Sequence, residues 1–511
     1  MQLKSKKLKG KNKLEFNKIV LRQFGVFAIL LLSFVFAQAQ EPIPSAPKSV
    51  TIPNVKTKVL RNGLTVVVIE KRNLPLVSVQ FQTSQGSNGD YPFAGTANLT
   101  TQLLTKGTKI RTATRIAEEM EFLGGSINAG AGFLQSQVSI GVTSDKLNQA
   151  MTIMSDVILN PAFKQSEIAL AKKQIVDDLT YRMTQPGSLA NFAATKYSFD
   201  EWITIGTVDS VNKITRKEIL KSYQEQFKLQ DATLVFTGDI SAAQAFNLAQ
   251  RLFGKGSTPI YMTAPAGAEI VTKSRKVSSD NISKRILVID LPNSGQSSVL
   301  FAKQFEDGKR EFDPKTEKSN YSKVYFPAIV MNSLFGGGYS SRLNQEVRIK
   351  RGLSYGANSS LIWRQMDSKF IASCQTKNES AAEVAELIIA ELKRLTTDLA
   401  SNDELNPRKA VLIGDFGRDL ETTSGLNYAL SDLFLFGLTP NELNAFTENV
   451  RKVTPEQVRS FANENLKGGD IIIVGDYKIF KDDLAKRFPN QKVEVIKVAE
   501  LDLNSETISK N

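Results

Sequence analysis

A short pattern occurs twice in the chain, and it limits the possible folds more than any other feature. Ile214-Thr215-Arg216-Lys217-Glu218-Ile219 opens a helical stretch that leads into the apolar run Leu234-Val235-Phe236-Thr237 and then Gly238-Asp239. Val453-Thr454-Pro455-Glu456-Gln457-Val458 opens a second such stretch, which leads into Ile471-Ile472-Ile473-Val474 and then Gly475-Asp476. In both, a Thr is followed three residues later by Glu or Gln, the signature of a capping box in which side chain and backbone satisfy each other reciprocally. Pro455 adds a fixed φ at the first helical position, where its missing N–H is no loss. The two copies are 239 residues apart at the cap and 237 apart at the Gly-Asp. A shared offset through cap, helix, strand and turn makes the chain two similar halves.

The halves are expected over residues 55–255 and 282–505, with a linker over 256–281 between them. The boundary is marked by Gly254-Lys255-Gly256-Ser257-Thr258-Pro259 and Ala264-Pro265-Ala266-Gly267, a turn-rich composition. In the first half, Leu64–Glu70 and Leu76–Thr83 read as strands around a turn at Lys71-Arg72-Asn73. Ala94–Lys106 reads as a helix, and Thr112–Leu123 as another, stopped by Gly124-Gly125. Ser126–Thr143 reads as paired strands, and Lys146–Leu159 and Glu167–Met183 as long helices. Strands and helices come in groups instead of alternating singly, which predicts an α+β fold with helices laid on a largely antiparallel sheet in each half.

The start of the chain reads as an address. Seven lysines and Arg22 precede the apolar run Phe24–Phe36, and Ala37-Gln38-Ala39 follows it. That order fits a signal peptide over residues 1–39, exported and then cleaved, which predicts a periplasmic location with no stable membrane anchor. An uncleaved anchor is the alternative, though the run is short for spanning a bilayer. Residues 40–54, with Pro42, Pro44, Pro47 and Pro53, read as an extended leader, and 506–511 as a tail. Removing 1–39 takes away eight basic residues and one acidic one, so the formal charge falls from +13 to +6. With no block of Lys and Arg interleaved with aromatics, nucleic acid is not an expected partner.

Composition matters most where chemistry is concerned. The chain has no histidine and one cysteine, Cys374. A Ser-His-Asp triad, a Cys-His pair, a His-bearing catalytic zinc site and an internal disulfide are therefore all excluded. Ser45-Ala46-Pro47-Lys48 and Ser210-Val211-Asn212-Lys213 fit S-x-x-K, but they lack the companion motifs of the hydrolases that use it. Gly336-Gly337-Gly338 lacks the Gly-Lys-Ser/Thr that completes a phosphate loop.

The segment Gly95-Thr96-Ala97-Asn98-Leu99-Thr100-Thr101-Gln102-Leu103-Leu104-Thr105-Lys106-Gly107-Thr108 resembles the zinc-site helix of the pitrilysin/insulinase family of metallopeptidases. The likeness continues through Leu60–Val68, Leu123–Ala129 and Arg348–Tyr355, so it covers essentially all of 55–505. The resemblance implies two homologous halves arranged as a clamshell. It also implies an H-x-x-E-H motif and a distal glutamate, and here the sequence departs. Asn98 and Gln102 stand at the two zinc-ligand histidines, and Thr101 stands at the catalytic glutamate. Counting back from Pro186, Asp178 matches the distal ligand and Ala171 its companion glutamate. Amides are weak neutral ligands for zinc, so no metal is expected on this chain. Asn98 and Gln102 then read as polar residues satisfied within a helix or cleft, and Asp178 as part of a solvated face.

The second half keeps what the resemblance implies for it. A glycine turn feeds a helix capped by Ser340 or Ser341, stopped at Gly352, with a strand from Ser354 onward. Arg348 and Tyr355 match the family's Arg and Tyr that hydrogen-bond the substrate carbonyl and its tetrahedral intermediate; both donate toward developing oxyanion charge. The alternative is a surface Arg and a core Tyr. Ser126–Phe133, with Asn128, Ala129 and Gly130, matches the edge strand on which family members lay peptide by strand addition, or else its glycines mark a bulge. Retained Arg and Tyr beside a lost zinc site imply a non-catalytic subunit of a heterodimer. In that reading it binds peptide or unfolded protein beside a homologous zinc-bearing partner, which carries the only zinc. A catalytically silent binding or scaffold protein is the alternative, and a hydrolase of another mechanism the third.

Overall fold

The computed structural model describes residues 51–90, 92–255, 281–313, 318–505 and 508. The residues read as the signal peptide, most of the leader, Ser45-Ala46-Pro47-Lys48, the linker from 256 to 280 and most of the tail lie outside the described residues.

The strands of the first half are β1 (Val55–Val59), β2 (Thr65–Glu70), β3 (Leu76–Thr83), β4 (Ser126–Ala131), β5 (Ser136–Thr143) and β6 (Ala232–Gly238). They form a six-stranded sheet in the order β1-β2-β6-β3-β5-β4. Its neighbours are antiparallel apart from β2 and β6. The second half begins with β7 (Ser283–Asp290) and β8 (Ser297–Phe305), followed by a separate hairpin of β9 (Arg310–Asp313) and β10 (Lys318–Tyr321). It continues with β11 (Ala357–Ile362), β12 (Ser368–Thr376), β13 (Gly469–Gly475) and β14 (Val493–Lys497). The second sheet runs β11-β12-β8-β13-β7-β14, with β13 and β14 each parallel to β7. Position by position the two sheets have the same order, so the duplication read from two short motifs extends to the topology. The sixth strand is the exception: the first half takes it from before its core strands, as β1, and the second from after them, as β14.

The repeated motif has a local cause in each half. Both capping boxes form, at Thr215 with Glu218 and at Thr454 with Gln457. Gly238 has φ of 129°, and a Cβ there would stand 2.0 Å from the Leu76 carbonyl oxygen. A Cβ at Gly475 would meet the Ser297 hydroxyl at 1.9 Å. Only glycine lets either strand end so close to its neighbour. The following aspartates then tie down the next turn: Asp239 accepts from the Ser144 hydroxyl at 2.7 Å and Asp476 from the Asn293 N–H at 3.0 Å.

Neither sheet has a free face in its centre. Along β2, Val66 and Val68 point into the core of their own half, while Val67 and Ile69 join a different cluster with Leu426, Leu430 and Leu433. Those leucines lie on one face of the helix Thr423–Leu435, which belongs to the second half but packs on β3 and β6 of the first. The reciprocal arrangement holds on the other side. Helix Pro186–Ala193 of the first half packs on β8 and β13, where Leu300, Ile472 and Val474 meet Leu189 and Ala190. The two exchanged helices begin 237 residues apart, the offset of the Gly-Asp turns. The exchange is also polar. Asn427 donates to the carbonyls of Ser78 and Val235, both at 3.0 Å, and Thr237 donates to Thr423 O at 2.7 Å.

Candidate functional site

The helix carrying Asn98, Thr101 and Gln102 runs Thr96–Leu103 and continues as a 3-10 turn to Lys106. Its start is fixed by Gly95, in the left-handed region at φ 92°, where a Cβ would press on the backbone at Ile205 and Gly206. No residue of the helix itself caps it. Instead Asp90 reaches in from the preceding loop, accepting from the N–H groups of Gly95 at 3.0 Å and Ala97 at 2.8 Å. Burial pushes the Asp90 carboxyl up to about 7, while the backbone N–H groups of Ala97, Gly95 and Thr96 pull it down.

Asn98 is only 7 % exposed and Thr101 is fully buried. The Thr101 hydroxyl has no hydrogen-bond partner, nor has that of Thr100. One turn apart on the same face, Gln102 Nε2 donates to Asn98 Oδ1 at 3.2 Å. The two amides therefore satisfy one another in part. Ala171 is buried in the helix Gln165–Arg182, and Asp178 on the same helix is exposed and paired with Arg182 at 2.6 Å. Among the residues matched to the zinc site, Asp178 alone carries a formal charge, and that charge is paired with Arg182.

β4 is the outer strand of its sheet and pairs with β5 alone, so its other edge carries unpaired backbone groups. The helix Thr96–Leu103 packs against it. Asn128 and Gly130 are opposite Ser139 and Gln137, in continuous register and without a bulge, and a Cβ at Gly130 would meet nothing within 4 Å.

In the second half the helix after the glycine turn differs from expectation. It has one α-helical turn, Arg342–Asn344, and then a π-helical segment, Gln345–Lys350. Ser341 stands at its cap without accepting a cap bond; its hydroxyl donates to Gly338 O at 2.6 Å, and Ser340 is engaged by Arg408. Gly352 does stop it, at φ 63°. The strand starts at Ala357 and not at Ser354, because the Ser354 hydroxyl folds back onto Gly356 O and Gln375 O. Tyr355 is thus in a loop, 91 % exposed, and not packed in a core. Arg348 is exposed as well, its guanidinium 5.0 Å from the centre of the Tyr339 ring, which is itself mostly exposed. Widening a helix by one residue re-aims the side chains after it, and π segments recur where function demands that. Tyr339 had no signal in the sequence beyond its place next to three glycines.

Another group that sequence reasoning missed sits where the halves meet. Glu201 bridges Arg364, at 3.3 Å, and Lys369, and Arg364 lies 3.7 Å over the Phe133 ring at the β4–β5 turn. Burial holds the Lys369 ammonium down at about 8. The S-x-x-K pair at Ser210 is structural: Ser210 donates to Ala94 O and caps its own helix, and Lys213 pairs with Asp209.

Comparison with known proteins places this geometry in a family. Residues 65–190 match the model of the insulinase domain of peptidase family M16, and residues 213–412 match the M16 inactive domain. The chain belongs to the M16 family. An uncharacterized zinc protease of Rickettsia bellii is 24 % identical over 415 residues, covering 78 % of this chain and 92 % of that protein. A Helicobacter pylori protein named non-peptidase homolog YmxG is 22 % identical over 396 residues, covering 76 % and 85 %. The crystal structure of a peptidase M16 inactive domain from Pseudomonas fluorescens superposes with a TM-score of 0.70 at 24 % identity, covering 83 % of this chain and 98 % of that one.

The zinc named in such relatives does not fit the residues present. Of the residues that the resemblance matches to the zinc site, two are amides bonded to each other, one is a buried hydroxyl, one is an alanine, and the one carboxylate is paired with an arginine. Among the described residues there is no group of three or more His, Cys, Asp or Glu placed to hold a metal ion. Nor is any described helix long and apolar enough to cross a membrane.

Proposed function

We propose that this protein is an exported, non-catalytic subunit of an M16-type peptidase. It lays an extended peptide along β4 and contributes Arg348 and Tyr355 to a composite active site whose zinc is on a homologous partner chain. One observation carries the reading: the positions matched to the two zinc-ligand histidines (Asn98, Gln102), the catalytic glutamate (Thr101) and the companion glutamate (Ala171) are emptied, while Arg348 and Tyr355 remain and stand exposed, free to meet a substrate. A guanidinium and a phenol presented to solvent are donors for charge that develops on a carbonyl oxygen outside this chain. The basic and apolar start of the sequence supports export to the periplasm.

The open edge of β4 beside a neutral amide pair favours a second reading, a silent protein that holds peptide without any cutting partner. One experiment separates the two. The mature chain is purified and assayed against a quenched generic peptide, alone, with zinc, and with a co-purifying H-x-x-E-H homologue. The subunit reading expects hydrolysis only in the pair, with Arg348→Ala and Tyr355→Phe in this chain each lowering kcat about 10²-fold while assembly persists. Full activity in both variants refutes the shared site. Zinc-dependent hydrolysis by this chain alone refutes the loss of its metal centre.

A further inference from the structure

The pair Asn98–Gln102 has a property that an accidental loss of ligands would not need. The single hydrogen bond between the two amides, 3.2 Å long, uses one donor and one acceptor. It leaves Asn98 Nδ2 as a donor and Gln102 Oε1 as an acceptor, with no protein partner for either among the described residues. Exchanging N and O in both side chains interchanges the two roles but again leaves one amino group and one carbonyl oxygen unused, so a donor–acceptor pair remains however the amides are assigned. Asn98 is more than nine-tenths buried, so its amino group is held in place by the packing around it. Beneath the pair the helix is closed by Thr101, Leu99 and Leu103, all buried.

A free donor and a free acceptor one helical turn apart match a group with one acceptor and one donor of its own. The N–H and C=O of one residue in an extended chain, which point to the same side, are such a group. The match is also electrostatic, since the pair is neutral, Asp178 is bound to Arg182, and Asp90 is taken up by the N–H groups of Gly95 and Ala97. A metal ion or an anion would find no compensating charge here, whereas a peptide amide needs none. The helix packs against β4, whose outer edge is open and whose Gly130 leaves room for a second backbone. A chain added along β4 would extend the strand on which the helix carrying the amide pair packs.

Building on the peptide-binding role proposed above, we propose that Asn98 and Gln102 form a clamp for the main chain of one residue of the bound peptide, Asn98 Nδ2 donating to its C=O and Gln102 Oε1 accepting from its N–H. The site that relatives give to a metal thus becomes a fixed reading point for main chain, indifferent to side-chain sequence.

The test uses a fluorescein-labelled 15-residue peptide of mixed Ala, Ser, Thr and Val and the mature protein, with anisotropy as the readout. Asn98→Ala and Gln102→Ala should each weaken binding several-fold, and the double variant by about tenfold or more, as expected for one or two net hydrogen bonds. Asn98→Gln with Gln102→Asn, which exchanges the groups at the cost of geometry, should recover part of the loss. A peptide series in which successive amides are replaced by esters, one at a time, should show one position whose replacement weakens the wild type but not Gln102→Ala. Circular dichroism melting confirms that the variants fold. Binding by the double variant equal to wild type, with no sensitive ester position, overturns the clamp while leaving peptide binding intact. Failure of the wild type to bind the peptide at all overturns both.

Discussion

Replacing Leu430 by Ala tests the exchange of helices between the halves. Leu430 is fully buried in the middle of the helix Thr423–Leu435, in one cluster with Val67, Ile69 and Val235 of the first sheet. Truncating a leucine in such a setting removes its transfer energy and leaves a cavity, together about 3 kcal/mol. The neighbours on the sheet side are strand residues held by ladders on both sides, so the site has little room to collapse. In hydrogen exchange under conditions where opening is in fast equilibrium, 3 kcal/mol is about a hundredfold faster exchange. The informative quantity is where the acceleration falls. If the helix is the second cover of the first sheet, peptides spanning 76–83 and 232–238 should lose protection along with 423–435, although they are far away in sequence. Leu189→Ala on the reciprocal helix should transmit instead to β8 and β13, where Leu300 and Ile472 share its cluster. Acceleration confined to residues 423–435 in the first variant, with β3 and β6 untouched, would refute the coupling.

Other outcomes follow from single sites. The Asp90 carboxyl titrates near 7 in the folded chain against 3.8 in the unfolded one, so the fold binds its proton more tightly between those values. Its contribution to stability therefore falls as pH rises from about 4 to about 7, by up to about 4 kcal/mol. Urea midpoints of wild type and Asp90→Asn should converge or cross between pH 5 and pH 8, and a constant difference would show that Asp90 does not titrate there. Gly238→Ala places a methyl group against the Leu76 carbonyl at a positive φ, and should cost about 2 kcal/mol or more in the same urea assay, with no effect if the turn relaxes freely.

Much of this architecture was legible because its signals are local. Thr215 with Glu218 and Thr454 with Gln457 announce their helices by chemistry confined to four residues, and Gly238 and Gly475 mark strand ends where no side chain fits. The frame around Asn98 and Gln102 could be read for the same reason, since i and i+4 on a helix must share a face. The exchange of helices was not legible. Pro186–Ala193 and Thr423–Leu435 are short apolar helices like any other, and nothing within them says which sheet they cover. A trace existed in Val66–Ile69 and Ile471–Val474: four consecutive buried apolar residues in a strand mean that both faces are covered, not one. The π segment under Arg348 and the Glu201 bridge to Arg364 and Lys369 left no trace, the first because one extra residue per turn has no compositional cost, the second because Glu201 is more than 160 residues from both of its partners in sequence.

The exchanged helices have a consequence for dissection of the molecule. Cutting the chain between residues 255 and 281 would give two polypeptides, each of which presents a bare sheet face and an orphaned apolar helix. Neither should persist as a soluble domain alone, yet each carries the piece that the other lacks. The two fragments are therefore natural complementation partners, expected to rebuild the whole when made together and to aggregate when made apart.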